Sequence, residues 1–357
     1  MKALIAMSGG VDSSMAAKLT KEAGYECIGC TMKLFDNEDI GMDGESKCCS
    51  SDDVYDAGKV AYGLGMPYYV FDFKEEFRHQ VMDKFIKSYS EGETPNPCID
   101  CNRFLKFDKL LKRADEIGYD YIVTGHYARV EKDEKTGKFL LKKGVDESKD
   151  QSYVLYSLTQ AQLSRLLLPL GGLHKSEVRE MAEKAGFVNA DKPDSQDICF
   201  VPDGDYAKMI ETYLGKTFPR GEFVDLDGKV IGEHKGLIHY TIGQHKRLGQ
   251  AFGKPMYVCR IDAAKNQIAL GSNEDTFSPK ATAKDFNWIS GEVPEGEVRC
   301  KVKTRYKQKE QQATARALND DGSEVEIIFD EPLRAVTPGQ AAVLYDGDTV
   351  LGGGTII

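Results

Sequence analysis

No stretch of the 357-residue chain approaches the roughly 18 consecutive apolar residues that a membrane-crossing helix needs, so no such span is expected. Nor does the chain open on a charged segment followed by a long apolar one. KALIAM, residues 2–7, reads instead as a short buried strand, and a cytoplasmic protein without a secretion signal is expected. A basic excess is missing too. Lys and Arg number 47 against 57 Asp and Glu, a net charge of −10, which taken whole argues against a nonspecific nucleic-acid binder. An even set of cysteines is also lacking. The nine, at 27, 30, 48, 49, 98, 101, 199, 259 and 300, read as thiols, metal ligands or redox groups rather than as a disulfide framework.

Hydrophobic residues make up 41% of the chain, enough to build two or three domains at this length. Residues 11–23, 54–64, 75–90 and 103–117 have helical spacing, and 25–31, 68–73 and 121–124 read as strands. Strands alternating with helices of about 10–15 residues imply an α/β fold with a doubly wound parallel sheet. After residue 125 the texture changes. YARV and KFLLKK flank the polar turn DEKTG as a hairpin, and helical segments recur near 160–167, 176–185 and 205–214. From residue 218 onward short strands and glycine turns dominate. The expected division is a catalytic α/β domain over 1–203, a small mixed central domain over 204–271 and a C-terminal β-barrel over 272–357.

The turn after the first strand, SGGVDSS at residues 8–14, is rich in glycine and serine and has no lysine. Strand, turn and helix in that order put backbone N–H groups at a helix N-terminus, where open donors and the helix dipole attract an anion. Gly9 and Gly10 let the backbone approach phosphate oxygens. Ser8, Ser13 and Ser14 offer hydroxyls, and Asp12 a ligand for magnesium (Mg2+). Loops that serve cleavage at the γ-phosphate carry a lysine beside it. Its absence fits cleavage between the α and β phosphates, with pyrophosphate held in the turn and AMP transferred. A tight glycine turn without a ligand has the same spacing. The loop resembles the pyrophosphate-binding loop of the adenylating ATP pyrophosphatases, which activate a carbonyl oxygen with AMP. That resemblance implies an ATP site over Ala6, Met7, Ser8, Gly9, Gly10, Val11, Asp12 and Ser13, with Met32 near the adenine and Gly125 also against the nucleotide.

The cysteines divide by context. Cys27 and Cys30 lie in one strand pattern, where an offset of three sends side chains to opposite faces. Both read as core, as do Cys259 and Cys300. Cys98 and Cys101 differ: they occupy TPNPCIDCN, at the start of a helix whose apolar positions are Phe104, Phe107, Leu110 and Leu111. A helix N-terminus favours the thiolate, and Pro95 and Pro97 fix the approach of the chain. The pair either puts two sulfurs on one ligand or offers one nucleophile; two cysteines packed near a turn is the plainer alternative. Cys199, in DSQDICFVPDGDY, would bring a third sulfur to the same pocket. The vicinal Cys48 and Cys49 offer two more ligands, or belong to a structurally neutral loop, SKCCSSDD.

SGGVDSS, TPNPCIDCN, TGHYAR, KDQSYVL, DSQDICFV, HYTIGQHKRLG, KTRYKQ and AVTPGQAAVLYDGDTVLGGGTI occur in one order. Together, and over essentially the whole chain, they resemble the bacterial tRNA-specific 2-thiouridylase (MnmA) family. Members convert the wobble uridine, position 34, of glutamate, glutamine and lysine tRNAs to 2-thiouridine. The resemblance implies that Cys101 is the nucleophile and Cys199 the persulfide carrier, and that Asn96, Pro97 and Cys98 meet the target base. It implies tRNA contacts at His126, Lys149, Asp150, Gln151, Arg305, Tyr306 and Gln340. ATP and magnesium are the implied cofactors, and tRNA and a cysteine desulfurase or sulfur-relay protein the implied partners, with no membrane. Many members carry aspartate where this chain has Cys98. The variant with C-x-x-C and a distant third cysteine is associated with a 4Fe-4S cluster, here on Cys98, Cys101 and Cys199, with one iron open to sulfide. That scheme conflicts with a persulfide carrier, because a cysteine tied to iron does not shuttle sulfur. His245 stands where arginine is more common.

Thiolation replaces the C2 oxygen of uracil with sulfur. Oxide leaves poorly, so ATP would first adenylate that oxygen and AMP would become the leaving group, with the loop and magnesium stabilising pyrophosphate. The base must leave its stack, which is easier in a single-stranded anticodon loop. An acidic chain must still meet RNA. RCKVKTRYKQK places Arg299, Lys301, Lys303, Arg305, Lys307 and Lys309 at alternate positions, one face of a strand, with Tyr306 on the other. The same pattern also serves as a solvated edge. An ATP-dependent amide or amidine synthetase acting on a small molecule shares the loop, but needs neither the three cysteines nor the basic strand. An RNA-binding sulfur carrier that uses ATP only structurally is the non-enzymatic alternative.

Overall fold

The computed structural model describes residues 1–36, 51–193, 198–201 and 204–357. Cys48, Cys49, the DSQD that precedes Ile198 and the boundary expected at residue 203 lie outside the described residues.

Strands β1 (Lys2–Ala6), β2 (Glu26–Lys33), β3 (Tyr68–Asp72) and β4 (Tyr121–Val123) alternate with helices. These are α1 (Val11–Glu22), α2 (Ser51–Gly63), α3 (Lys74–Phe77), α4 (Asp83–Ser90), α5 (Pro97–Asp100) and α6 (Leu110–Glu116). A hairpin, β5 (Ala128–Lys132) and β6 (Phe139–Lys143), follows, then α7 (Gln160–Leu163), β7 (Leu166–Leu167), α8 (Lys175–Lys184) and α9 (Tyr206–Leu214). The first sheet has the order β3-β2-β1-β4-β7 and is parallel throughout, the doubly wound arrangement expected.

Period-two alternation gives each strand two apolar faces. Leu4, Ile28, Cys30, Met32 and Ile122 share one buried cluster with Phe85 and Ile86 of α4 and with Leu110 and Ala114 of α6. Ala3, Ile5, Cys27 and Val123 share the other with Met15 and Ala16 of α1, Val60 and Ala61 of α2, and Val178 and Ala182 of α8. Cys27 and Cys30 thus take opposite faces, and burial pushes the Cys30 thiol far up.

The helical pattern expected over 160–167 stops early. α7 is closed at its start by a Thr159–Gln162 capping box, and Leu166 and Leu167 then pair with Ile122 and Val123 as a fifth parallel strand. Pro169 cannot continue a helix, and the two leucines bury more by covering the open edge of β4. From Pro97 to Glu116 the chain is continuously helical, but Cys101–Lys109 is wound as a wider π-helix, a feature frequent at functional sites.

The central sheet is β8 (Gly221–Val224), β9 (Val230–His234), β10 (Tyr257–Asp262) and β11 (Gln267–Gly271), in the order β10-β11-β8-β9, around Phe223, Tyr240, Val258 and Leu270. The C-terminal strands are β12 (Phe277–Trp288), β13 (Glu297–Lys303), β14 (Gln311–Ala317), β15 (Val325–Arg334), β16 (Ala341–Asp346) and β17 (Thr349–Ile356). They run in the order β12-β15-β14-β13-β16-β17 and close through β12–β17 pairing, a six-stranded barrel. The β5–β6 hairpin joins this barrel sheet at Thr349↔Lys142 rather than the parallel sheet. α5 lies between the two bodies. Ile99 is buried with Tyr153, Ile289 and Tyr345 on the barrel side, whereas Cys101 belongs to the cluster on the parallel sheet.

Candidate active site

The turn between β1 and α1 is shaped by its own small residues. Gly9 has φ +79°, and a Cβ there would lie 2.5 Å from the Asp53 carbonyl oxygen near the start of α2, so only glycine fits. Gly10 is the N-cap of α1 and brings no side chain to its first-turn N–H groups, which leaves them for an anion. The hydroxyls divide in role. Ser13 and Ser14 are buried and donate back to the Gly10 carbonyl at 3.0 and 3.1 Å. Ser8 is exposed, with its N–H on Ser13 Oγ at 3.1 Å. Ser8 therefore faces the mouth, while Ser13 and Ser14 build the turn instead of offering donors to a ligand.

Around the turn, the Met7 carbonyl accepts from Thr31 Oγ1 at 2.6 Å, and the Met7 side chain is buried, as is Val11. Met32, on β2, is buried in the cluster against which Ala6 packs. Gly125 follows β4, and a Cβ there would stand 2.8 Å from the Asp12 carbonyl carbon. The end of β4 thus closes directly over the first turn of α1.

A lysine does reach this turn, from far along the chain. Lys175 is the first residue of α8 and is buried, and its Nζ donates to both Asp12 carboxylate oxygens at 2.7 and 2.8 Å. The Tyr127 hydroxyl donates to Asp12 Oδ1 at 2.8 Å, and the Lys175 N–H to Asp146 Oδ2 at 2.9 Å. Both Asp12 carboxylate oxygens are thus paired with an ammonium. Asn189 braces the turn from outside, its Nδ2 on the Gly9 carbonyl at 2.8 Å and on Ser14 Oγ at 2.9 Å. Lys192 pairs with Asp53 and Asp56 beside Gly9. Sequence reasoning missed Tyr127, Lys175, Asn189 and Lys192. LHKSEVREMA reads only as the start of an amphipathic helix, and nothing local marks what its lysine faces.

Asn96 Oδ1 accepts the Cys98 N–H at 3.1 Å and Pro97 fills the first helical position, so the TPNPC segment is a helix start as expected. Cys98 is exposed, Cys101 buried and Cys199 half-buried. Cys101 belongs to the cluster that holds Met32, and Cys199 and Ala6 pack against it, so both cysteines share one face of the sheet with the end of β1. Burial pushes the Asp100 carboxyl up to about 6, offset by Lys84 and Arg103. Among the described residues no three His, Cys, Asp or Glu side chains are gathered as a metal-holding group. The three cysteines differ in exposure and are not gathered as such a group, so of the two alternatives the chemistry below takes the persulfide one.

Several residues matched to tRNA contacts bond to the protein itself. Asp150 is buried and accepts from the Gly144 and Ser152 N–H groups and from Ser152 Oγ. Gln151 Oε1 accepts the Tyr127 N–H at 2.9 Å. His126 is buried with Nδ1 2.7 Å from Thr124 Oγ1, and burial, then Lys106, hold it well below its usual value, hence neutral. The Lys149 N–H closes a turn on the Asp146 carbonyl at 3.0 Å. Arg305 Nη2 donates to the Ile242 and Ala335 carbonyls and to Thr337 Oγ1, and Gln340 Nε2 to the Thr94 carbonyl. Tyr306 packs on Tyr153 with ring centroids 6.0 Å apart, the inward position expected. Burial, then Asp150 and Cys98, push its phenol up to about 12.

The six-cation strand face is not formed. Arg299 and Lys301 are exposed on β13 and Cys300 and Val302 buried, as alternation requires, but the strand ends at Lys303. Thr304 there bonds Gln308 through a turn, which takes Arg305, Lys307 and Lys309 off the line. Arg299 is also paired with Asp330.

A doubly wound parallel sheet with a glycine–serine turn opening α1 defines the class: an α/β protein of the ATP-pyrophosphatase type with two β domains appended. Residues 1–203 match the model described as tRNA methyl transferase HUP domain, 207–272 its PRC-barrel domain and 278–356 the aminomethyltransferase beta-barrel domain. The chain is 51% identical over 355 residues, 99% of its own length and 98% of the relative's, to tRNA-specific 2-thiouridylase MnmA of Clostridioides difficile (strain 630). It is 49% identical, over 99% of both chains, to the protein of that name in Acetivibrio thermocellus. Among solved structures, a 4-thiouridine synthetase–RNA complex with bound ATP aligns with 60% of this chain and 50% of its own at 18% identity and TM-score 0.32. The chain belongs to the tRNA-specific 2-thiouridylase MnmA family.

Proposed function

We propose that the protein is an ATP-dependent tRNA-uridine 2-sulfurtransferase that converts wobble uridine 34 of glutamate, glutamine and lysine tRNAs to 2-thiouridine. The proposed layout is a catalytic domain over 1–203, a central domain over 204–271 and a barrel over 272–357. What supports the reading is that Cys101 lies in, and Cys199 packs against, the buried cluster that holds Met32 and takes in Ala6 at the end of β1.

In the first step the uracil C2 oxygen attacks the α-phosphorus of ATP. An O–P bond forms, the bond to the β-phosphate breaks and pyrophosphate leaves into the turn. There the first N–H groups of α1 and the Ser8 hydroxyl meet its charge, and Lys175 supplies an ammonium close by. Magnesium would screen the triphosphate, with Asp12 as the carboxylate nearest the turn to hold it beside Lys175. Next, the terminal sulfur of a persulfide on Cys199 attacks C2, and the C2–O bond breaks with AMP leaving. The Cys101 thiolate then attacks the Cys199 sulfur and cleaves the S–S bond. Its electron pair stays with the sulfur on C2, giving the thiocarbonyl and a Cys101–Cys199 disulfide. An external dithiol reduces the disulfide, and a persulfide-bearing protein, a cysteine desulfurase or relay, recharges Cys199.

Pyrophosphate release with ATP tests the reading. Release that depends on unmodified tRNA supports it. Release that depends on a small amine would point to an amide synthetase, and no release with either would leave a sulfur carrier.

A further inference from the structure

Asn189 lies behind the glycine turn, in the segment that follows α8. It is buried, and its Nδ2 donates to the Gly9 carbonyl at 2.8 Å and to Ser14 Oγ at 2.9 Å. The segment is itself held by α8, where Arg179 donates to the Ala190 carbonyl at 3.1 Å and to the Lys192 carbonyl at 3.2 Å. Lys192 then pairs with Asp53 and Asp56 of α2. Asn189 Oδ1 has no hydrogen-bond partner among the described residues. A buried acceptor left that way is a cost, and a residue kept for packing alone would do better apolar.

The amide acts on a peptide that its own residues do not orient. Gly9–Gly10 has no Cβ on either side, so both orientations of the peptide plane are open to it. In a trans peptide the carbonyl and the N–H point to opposite sides. Asn189 draws the Gly9 carbonyl toward itself, which turns the Gly10 N–H away from it. The next carbonyl is drawn in as well: Gly10 O accepts Ser13 Oγ and Ser14 Oγ, and the Ser14 N–H at 3.3 Å. Because Ser14 Oγ donates its proton there, its oxygen is left to accept from Asn189. Flipped, the Gly9–Gly10 peptide would face an incoming anion with a carbonyl oxygen instead of a donor.

We propose that Asn189 is a positioning residue that locks the Gly9–Gly10 peptide, so that the Gly10 N–H and not the Gly9 carbonyl meets the departing pyrophosphate. The inference rests on the adenylation reading of the turn and adds the residue that sets the turn's polarity. Asn189 acts through the peptide and does not itself touch the nucleotide. Its effect is therefore confined to ligands that place phosphate in the turn, pyrophosphate and ATP. AMP lacks the β and γ phosphates and does not depend on it. A backbone donor held ready for a developing oxyanion contributes about 100-fold or more in rate.

The test measures, for full-length wild type, Asn189→Leu and Asn189→Ala, the affinities for magnesium pyrophosphate and for AMP, and the rate of tRNA-dependent pyrophosphate release. Asn189→Ala keeps the measurement open if Asn189→Leu folds poorly. Pyrophosphate affinity is expected to fall about tenfold or more and release to slow about 100-fold, with AMP affinity unchanged. Asn189→Asp adds a check that packing alone would not give. Its carboxyl has the shape of the amide but donates only when protonated, so its pyrophosphate shortfall relative to wild type is expected to narrow from about pH 8 to about pH 5.5. Three results overturn the lock: pyrophosphate affinity within about twofold of wild type in both apolar variants, an equal loss of AMP affinity, or a shortfall of Asn189→Asp that ignores pH. These leave the adenylation reading standing, whereas a wild-type protein that binds no pyrophosphate overturns that reading and the lock with it.

Discussion

Lys175 spans 163 positions of sequence to reach Asp12, with its Nζ within 2.7 and 2.8 Å of the two carboxylate oxygens. The glycine turn thus has its cation after all, supplied by α8 and parked on the first turn of α1. A buried ammonium beside an anion-binding helix N-terminus stabilises the charge that develops on departing pyrophosphate. Lys175→Met is expected to slow tRNA-dependent pyrophosphate release about 100-fold while leaving tRNA affinity unchanged. A rate within about twofold of wild type would remove Lys175 from the phosphate site.

What was legible in the sequence was local. β1, the glycine turn and α1 were readable because a period-two run, glycines and a helical pattern lie side by side. The opposite faces of Cys27 and Cys30 followed from strand geometry alone. The ring of partners around the turn was not legible, since Tyr127, Lys175 and Asn189 arrive from 115 to 180 positions away. The basic strand failed for the opposite reason. Its alternation continues in the sequence past Lys303, but the Thr304–Gln308 hydrogen bonds turn the backbone, so the pattern outruns the strand.

Gly9 and Gly24 offer a matched pair. Both have positive φ, +79° and +87°, but an added Cβ at Gly9 meets the Asp53 backbone, whereas nothing lies within 4 Å at Gly24. Gly24→Ala is expected to cost about 1 kcal/mol of stability from the backbone conformation alone. Gly9→Ala is expected to cost about 2–3 kcal/mol and to weaken ATP binding, because the turn must move away from α2. Thermal melts and ATP titrations of the two variants give the comparison, and equal effects would mean that the approach to Asp53 is not tight.

His126 links acid stability to the floor of the site. Its folded-state pKa is depressed by burial, so below its ordinary value of 6.5 the unfolded chain takes up a proton that the folded protein refuses. Stability is therefore full above that pH and falls as the pH drops, by as much as about 1.4 kcal/mol per pH unit from this group. Replacing it as His126→Gln keeps a polar partner for Thr124 without the titration. Urea midpoints at pH 7 and pH 5 should then differ less in the variant than in wild type. His234 and His239, lowered by burial as well, retain their share in both proteins. An unchanged pH dependence would show that His126 opens to solvent.

Cys101 and Cys199 carry separable steps in the proposed chemistry, and one substitution distinguishes them. In Cys101→Ser the sulfur of a Cys199 persulfide still reaches C2 and AMP still leaves, but no thiolate is present to cleave the remaining S–S bond. The variant is expected to release about one equivalent of pyrophosphate per enzyme and then stop, with tRNA joined covalently through Cys199. tRNA binding should be nearly unchanged. An added dithiol should free thiolated tRNA from the adduct by thiol–disulfide exchange. Cys199→Ser, lacking the carrier sulfur, should give no adduct under the same conditions. Denaturing gels and nucleoside analysis before and after the dithiol read both outcomes. Steady thiolation by Cys101→Ser without reductant would exclude the persulfide-resolution step, whatever its effect on tRNA binding.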